Sequence, residues 1–288
     1  MKAPRVSTYR GMIFASFAET GESLEEHFGP LRKYIDYWFD HSPVGRVTLS
    51  RPYRAVYHGN WQFQAENSTD GWHARYVHES ALQMLERFGD RCRAVGWPGC
   101  TRGFAHGHGV LEMERNDIPP AVEEAFTEHV DVLNRRYGAE TAEQIYLRRH
   151  IAIFPNLHLM EFTFRVIQPV AVDRTIVYEY PVQLEEVPDR INQAIFTRIA
   201  KDISVSSGSL VAGMVNTDDG EIFGRVQSGL QAAKVPWLYL SRGLQPDEQR
   251  PTGEVVSERT DEVPQRAFYR EWARLMASAA AEEGEDDL

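Results

Sequence analysis

The hydrophobic positions of this chain change period along its length, and the changes predict a mixture of helices and strands. Hydrophobic residues recur at every third or fourth position over 22–40, which predicts an amphipathic helix. Over 46–58 they alternate with polar residues, which predicts strands. The short hydrophobic run at 61–63 also predicts a strand, and the pattern over 71–88 predicts another helix.

The middle of the chain places three strand-like segments close together. Residues 119–137 and 139–149 predict helices, and strands are then predicted at 150–154, 157–168 and 175–181. Strands that are joined by short turns favour an antiparallel sheet, since parallel neighbours need long crossover connections. The sequence therefore predicts an antiparallel sheet in this region.

The C-terminal part predicts helices, one polar loop and a tail. Amphipathic helices are predicted at 186–208, 218–233 and 261–280. Residues 241–260 are polar and predict a surface loop, and the acidic residues 281–288 predict a disordered tail. No repeat or linker divides the chain, so residues 1–280 are expected to form one domain.

Composition narrows the classes of function. The chain has 42 acidic and 31 basic residues and a formal net charge of −11, which disfavours a nucleic-acid partner because phosphates require clustered Lys and Arg. The two cysteines, Cys92 and Cys100, match neither zinc nor iron–sulfur spacing and indicate a reduced compartment. No signal peptide or membrane-length hydrophobic run is present, so a cytoplasmic protein without a membrane partner is expected.

The densest group of metal-ligand residue types lies in residues 66–78, which include His73 and His78. A second acidic group, residues 217–221, follows much later in the chain. Two histidines and one distant carboxylate form the ligand set that holds non-heme Fe(II) on one face and leaves other positions open. This combination indicates an oxygen-activating enzyme.

The spacing of the two histidines leaves this interpretation open. His73 and His78 are five residues apart, so their side chains would diverge by about 140° on a regular helix. A shared metal therefore requires a helix that is distorted here or that begins near His73; ordinary surface or capping histidines are the alternative. Asp70 is well spaced to bond the second ring nitrogen of His73, and equally to cap a helix.

The third ligand is also undecided from spacing. Asp218, Asp219 and Glu221 are equal candidates, and the same residues are typical of a turn or a helix start. A zinc hydrolase is a further alternative, but such enzymes place a catalytic Glu next to a ligand histidine, and Ala74 follows His73 here.

Several segments occur in the order seen in one enzyme family. They are residues 9–14, 59–62, 66–67, 70–73 with His78, 107–109, 153–157, 165–175 and 218–221. Together they resemble the large subunits of Rieske non-heme iron oxygenases, the aromatic-ring-hydroxylating dioxygenases. The resemblance covers nearly the whole chain.

The resemblance implies a fold and a site. The fold would be an α+β helix-grip domain of the START or Bet v 1 type, with a curved antiparallel sheet around a long helix. His73, His78 and Asp219 would bind Fe(II), since the second acid of the pair is the ligand in the family. Asp70 would bond His73 and link the iron to the Rieske cluster of a neighbouring subunit. Asn67 would lie near the iron without binding it firmly.

The resemblance also implies partners. In the family a Rieske domain precedes this domain and holds a 2Fe–2S cluster with two Cys and two His, and this sequence contains no such paired motifs. The chain would be a fragment, a truncated product or one of several polypeptides, and its electrons would come from a Rieske or ferredoxin-type centre that a reductase supplies from NAD(P)H. A homotrimer, with or without a β subunit, is the implied assembly.

The expected activity is the addition of O2 to an aromatic substrate. Residues 64–67 and 70–71 favour family members that act on aromatic carboxylates, with Arg75, Arg102 and Arg225 as candidates to hold the carboxylate. The alternative is a catalytically incompetent ligand-binding or structural subunit that lacks its electron donor, because a helix-grip domain also encloses apolar ligands well. Metal content discriminates between the two.

Overall fold

A computed structural model of the chain describes residues 2–79, 98–114, 123–160, 162–196, 217–234, 236–245 and 253–285. The strands are β1 (Arg5–Tyr9), β2 (Met12–Ser16), β3 (Val47–Leu49), β4 (Tyr53–Tyr57), β5 (Gly99–Gly103), β6 (Gly109–Met113), β7 (Arg148–Ile153), β8 (Leu157–Met160), β9 (Thr163–Ala171), β10 (Arg174–Leu184) and β11 (Val255–Glu258). The α-helices are α1 (Leu24–Phe28), α2 (Arg32–Phe39), α3 (Trp61–Asn67), α4 (Ala74–Val77), α5 (Glu123–Tyr137), α6 (Ala139–Tyr146), α7 (189–196), α8 (Thr217–Ala232) and α9 (Val263–Glu285).

Within these ranges, nine strands form one antiparallel sheet in the order β11-β5-β6-β7-β8-β9-β10-β3, and β4 also pairs with β10. Strands β5 to β10 are neighbours in the order of the chain, which confirms the predicted antiparallel sheet. The segment predicted as one strand over 157–168 is two strands, because the chain reverses between Met160 and Thr163, which pair with each other.

The largest hydrophobic core lies between one face of the sheet and the first helices. Ile35 and Trp38 of α2 pack in one cluster with Ile151 of β7 and Leu159 of β8. Each such buried side chain stabilises the fold by about 1.5–3 kcal/mol. The helix predicted over 22–40 is present, with a short 3-10 turn at Gly29–Leu31 between α1 and α2.

The opposite face of the sheet carries the helices that form the site described below. Ile167 of β9 packs with Ala65 of α3 and Phe268 of α9. Val177 of β10 packs with Tyr57 and with Phe223 of α8. The sheet therefore holds α3 and the start of α8 on the same face.

The segment Trp61–Phe63 is helical, and the predicted strand there is wrong. Asn60 caps α3, since its Oδ1 accepts a hydrogen bond from the Gln62 amide at 3.0 Å. The Trp61 ring packs against Phe268 with centroids 5.4 Å apart. A capping residue and a distant aromatic partner thus outweigh a short hydrophobic run that suits a strand or a helix equally.

Two further differences lie near the C-terminus. The predicted loop at 241–260 contains β11, whose pairing with β5 no local pattern indicates. Helix α9 extends to Glu285, so residues 281–285 are helical where a disordered tail is predicted; the Ala-rich run before them has the highest helix propensity.

Some predictions fall partly outside the described residues. They concern residues 80–88 of one predicted helix, residues 197–208 of another, and Cys92. None of the helices in the described ranges combines the length and hydrophobicity that crossing a bilayer requires.

Candidate metal centre

The two histidines of the 66–78 segment lie at the two ends of a very short helix. Helix α4 contains only Ala74–Val77, with His73 at its N-cap position and His78 at its C-cap. The backbone of His78 has φ −103° and ψ 21°, which is not helical. The two imidazole rings therefore approach each other, with centroids 5.4 Å apart. Helix α4 thus begins directly after His73, as a metal shared by the two histidines requires.

Asp219 meets the two rings from the first turn of α8. Its side chain is 2% exposed, and its Oδ1 lies 3.3 Å from Nε2 of His78 and 3.9 Å from Nε2 of His73. One ligand atom from each of the three residues lies within 4.8 Å of the others. Two imidazole nitrogens and one carboxylate oxygen are the donor set of mononuclear Fe(II) sites.

Two more carboxylates hold the far sides of the rings. Oδ2 of Asp70 lies 3.4 Å from Nδ1 of His73, and Oδ2 of Asp218 lies 3.4 Å from Nδ1 of His78. A proton on each Nδ1 then faces a carboxylate, and the lone pair of each Nε2 lies on the side of Asp219, where a cation could be shared. Asp218 therefore contacts His78 from the side opposite Asp219. The sequence indicates Asp218 only as a possible third ligand and does not predict this contact.

The charges of this group suit a divalent cation. Burial alone would lower the pKa of His73, but the Asp70 carboxylate beside its Nδ1 and the charge of Asp219 raise it above the usual value. Burial alone would raise the pKa of Asp70, but the adjacent His73 imidazole and the hydrogen bond from the Trp72 amide bring it below the usual value. Three carboxylates around two imidazoles leave net negative charge that a cation would neutralise.

The loop before His73 is fixed from two sides. The Trp72 amide donates to Oδ1 of Asp70 at 2.5 Å, which closes a turn. A Cβ on Gly71 would lie 2.3 Å from the carbonyl oxygen of Arg259, so only glycine allows the loop to approach that segment. Ser68 donates to the Gln64 carbonyl at 2.7 Å and accepts from the buried Arg165 of β9 at 3.5 Å.

Glu66 and Asn67 lie at the end of α3. Oδ1 of Asn67 accepts a hydrogen bond from Nε2 of Gln64 at 3.3 Å. The Glu66 carboxylate accepts a hydrogen bond from the Tyr269 hydroxyl, and burial raises the pKa of Glu66 to about 7. The Tyr269 contact joins residues 203 positions apart, so no local sequence pattern could indicate it.

Two of the three arginines that were candidates for holding a substrate carboxylate already contact carboxylates of the protein. Arg102 forms ion pairs with Glu112 and Glu254, and Arg225 pairs with Glu221. Arg75 is exposed on α4.

Comparisons with known proteins agree with the resemblance seen in the sequence. Residues 44–278 match the family described as ring hydroxylating alpha subunit (catalytic domain). The large subunit of 2-halobenzoate 1,2-dioxygenase from Burkholderia cepacia is 30% identical over 256 residues, which cover 84% of this chain and 53% of that protein. The alpha subunit of toluate 1,2-dioxygenase from Pseudomonas putida is 34% identical over 244 residues, which cover 79% and 51%.

A solved structure shows the same fold. Naphthalene 1,2-dioxygenase from Rhodococcus sp., bound to indole, superposes with a TM-score of 0.74 at 24% identity and covers 95% of this chain and 66% of that one. The described fold is therefore that of the helix-grip catalytic domain. The chain spans about half the length of the two curated relatives.

Proposed function

The chain belongs to the ring-hydroxylating alpha-subunit family, to its catalytic domain, and we propose that it is the oxygen-activating part of an aromatic-ring-hydroxylating dioxygenase. In this proposal His73, His78 and Asp219 hold Fe(II). One observation carries it: segments far apart in the chain bring three ligand atoms of the right types within 4.8 Å of one another. The finer steps below rest on it.

The residues present fit an Fe(II) ion. Both imidazoles offer Nε2 because Asp70 and Asp218 face their Nδ1 atoms, and Asp219 offers a buried carboxylate oxygen. Such a set holds the metal from one side and leaves positions for other ligands. When bound, the iron would supply the binding and reduction of O2.

The side chains of this protein would position the reactants and hold protons. Asp70 and Asp218 keep a proton on each Nδ1, which directs both lone pairs to the metal. The complete reaction combines an aromatic ring, O2, two electrons and two protons into a cis-dihydrodiol. The Asp70 side chain is 28% exposed while it contacts His73, so it connects the centre to the surface where an electron donor would dock.

The electron donor in this proposal is a Rieske or ferredoxin-type 2Fe–2S centre that a reductase supplies from NAD(P)H. A homotrimer would bring the cluster of one subunit to the iron of the next, with or without a β subunit. The proposed substrate is an aromatic carboxylate, because two of the relatives are named for 2-halobenzoate and toluate.

Metal content tests the ligand assignment. The chain would be purified without oxygen, supplied with Fe(II), and compared with His73→Ala, Asp219→Ala and the control His58→Ala, an exposed histidine outside the group. We expect about one iron per chain in the parent and the control, and loss of iron in both ligand variants. An iron-free parent, or iron retained by both ligand variants, would contradict the assignment.

Turnover separates an enzyme from a ligand container. Hydrogen peroxide carries the oxygen, electrons and protons that O2 and the donor supply together, so it would be added to the iron-loaded chain with benzoate. We expect a dihydrodiol from the parent and none from Asp219→Ala. Binding of benzoate without product would favour the ligand-binding alternative.

A further inference from the structure

A second group of metal-ligand side chains lies on elements different from those of the candidate metal centre. Glu22, His27 and His106 place one ligand atom each within 4.8 Å of the others. Oε1 of Glu22 lies 2.9 Å from Nδ1 of His27 and 3.3 Å from Nδ1 of His106. We propose that these three residues form a second site for a divalent cation, one that prefers nitrogen and oxygen ligands as Zn²⁺ does.

The start of α1 holds the first two ligands in place. Glu22 directly precedes Ser23, which caps α1 in a reciprocal arrangement with Glu26, and His27 lies one turn further along the same helix. The Glu22 carbonyl also accepts a hydrogen bond from Nη1 of Arg5 at 2.9 Å. The backbones of both ligands are thus fixed before any metal arrives.

The third ligand lies on a turn that the fold holds in an uncommon conformation. His106 has φ 57° and ψ 22° within the 3-10 turn Ala105–Gly107. Few residues with a side chain adopt this left-handed conformation, and surrounding contacts must stabilise it. A Cβ on Gly107 would lie 2.7 Å from the Phe154 ring and 3.0 Å from Cβ of Glu271, so the turn is packed tightly against its neighbours.

His108 ties this turn to α1. The residue is fully buried, its Nδ1 accepts a hydrogen bond from the Phe154 amide at 3.0 Å, and its Nε2 lies 3.1 Å from the carbonyl oxygen of His27. With Nδ1 as acceptor, Nε2 carries the proton and donates to His27. One neutral imidazole therefore joins the two segments that carry the ligands His27 and His106.

The distances suit a small cation with nitrogen and oxygen ligands. Ligand atoms about 2.0–2.1 Å from a tetrahedral ion lie about 3.3 Å from each other, close to the observed separations from Glu22. The side chains of Glu22, His27 and His106 are 39%, 28% and 29% exposed, so a cation enters from solvent and water completes its coordination. Two imidazoles and one carboxylate favour Zn²⁺, Ni²⁺ or Cu²⁺ over Mg²⁺ or Ca²⁺.

Zinc binding tests the proposal independently of the iron site. Equilibrium dialysis with Zn²⁺ would use a chain that carries His73→Ala and His78→Ala in addition to Asp219→Ala, below called the Asp219→Ala chain. The candidate metal centre then has none of its three ligands. Into it we would introduce His106→Asn, because Asn tolerates the left-handed backbone, or Glu22→Gln. The control is His58→Asn, at an exposed histidine outside both groups.

We expect the Asp219→Ala chain and its His58→Asn control to bind one Zn²⁺ at this site, and both ligand variants to bind it at least about tenfold more weakly. Circular dichroism would check that each variant is folded. Zinc affinity that neither ligand variant changes, or no zinc bound to the Asp219→Ala chain, would leave these residues as ordinary His–Glu ion pairs and overturn the proposal.

The spectrum of bound Cu²⁺ is a second test, because it would not change if His106 only supported the fold. Electron paramagnetic resonance of the copper-loaded Asp219→Ala chain should show coupling to two imidazole nitrogens, and His106→Asn should reduce this to one. A copper spectrum that is identical in the two chains would contradict the assignment of His106 as a ligand.

Discussion

At the scale of single residues, the candidate iron site includes two carboxylates that contact the histidines but lie outside the proposed ligand set. Asp70 and Asp218 lie at the same distance, 3.4 Å, from the Nδ1 atoms of His73 and His78. The contact of Asp70 with His73 was predictable because Asp70 lies three residues before this histidine. Asp218 lies 140 positions from His78, so only the packing of α8 against α4 decides that contact.

Asp70→Asn should weaken iron binding without removing any ligand. The amide carries no charge to stabilise the His73 Nδ1 proton, and loss of such a partner costs about 10- to 100-fold in metal affinity. Anaerobic Fe(II) titration of the variant against the parent measures the change. Asp131→Asn, at an exposed position of α5, is the control and should bind iron as the parent does. Parent-like affinity in Asp70→Asn would show that this carboxylate does not support the ligand.

At the scale of elements, the site is built by an interruption in helical structure. The pattern over 71–88 predicts a continuous helix, whereas α4 begins only after His73 and ends before His78. The loop in front of it packs against the segment after β11, where Gly71 approaches the carbonyl of Arg259. The short helix between His73 and His78 is therefore positioned by the segment that follows β11, near the other end of the chain.

Gly71→Ala should disturb this positioning. The added methyl group would lie 2.3 Å from the Arg259 carbonyl oxygen, so the loop must move and carry Asp70 and His73 with it. We expect a loss of about 1–3 kcal/mol in the free energy of unfolding, measured by urea denaturation, together with weaker Fe(II) binding.

Gly229→Ala is the matched control, because a Cβ there meets nothing within 4 Å and the residue lies in α8. It should leave iron binding unchanged and stabilise the helix by up to about 1 kcal/mol. Equal iron affinity in the two alanine variants would show that the close approach at Gly71 is not needed for the site.

At the scale of the whole molecule, buried titratable groups control how stability depends on pH. Burial lowers the pKa of His108 and of His158 to about 3. An unfolded histidine binds a proton below about pH 6.5, so these two groups destabilise the fold as the pH falls below that value. Glu66 has the opposite effect: it destabilises the fold as the pH rises. Burial raises its pKa to about 7, so the unfolded chain loses this proton at a lower pH than the folded chain does.

Glu66→Gln should therefore stabilise the metal-free chain more at high pH than at low pH. The unfolded carboxyl ionises near its ordinary pKa of 4.5 and the folded one near 7, so folding loses free energy between these values. At about 1.4 kcal/mol per pKa unit, the advantage of the variant should grow by about 3 kcal/mol from pH 4.5 to pH 8. Urea denaturation across this range measures it.

The control for this comparison is Glu140→Gln, at an exposed position of α6, whose difference from the parent should stay flat over the same range. A flat difference for Glu66→Gln as well would mean that Glu66 ionises in the folded chain near its ordinary pKa.

The sequence by itself determined the features that depend on neighbours along the chain. The helix over 22–40, the strands over 46–58 and the antiparallel arrangement of the central strands follow from hydrophobic period and short turns, and all are present in the structure. The segment with His73 and His78 was recognisable because its ligand types lie within thirteen residues. Family membership followed from the order of such local motifs.

Only the tertiary structure decided the features that join distant segments. It made 61–63 helical, added β11 to the sheet, and brought Asp219 and Asp218 to opposite sides of one imidazole. The contact between Glu66 and Tyr269 and the group at Glu22 have the same origin. Burial and long-range packing set these contacts, and neither is encoded in the spacing of residues along the chain.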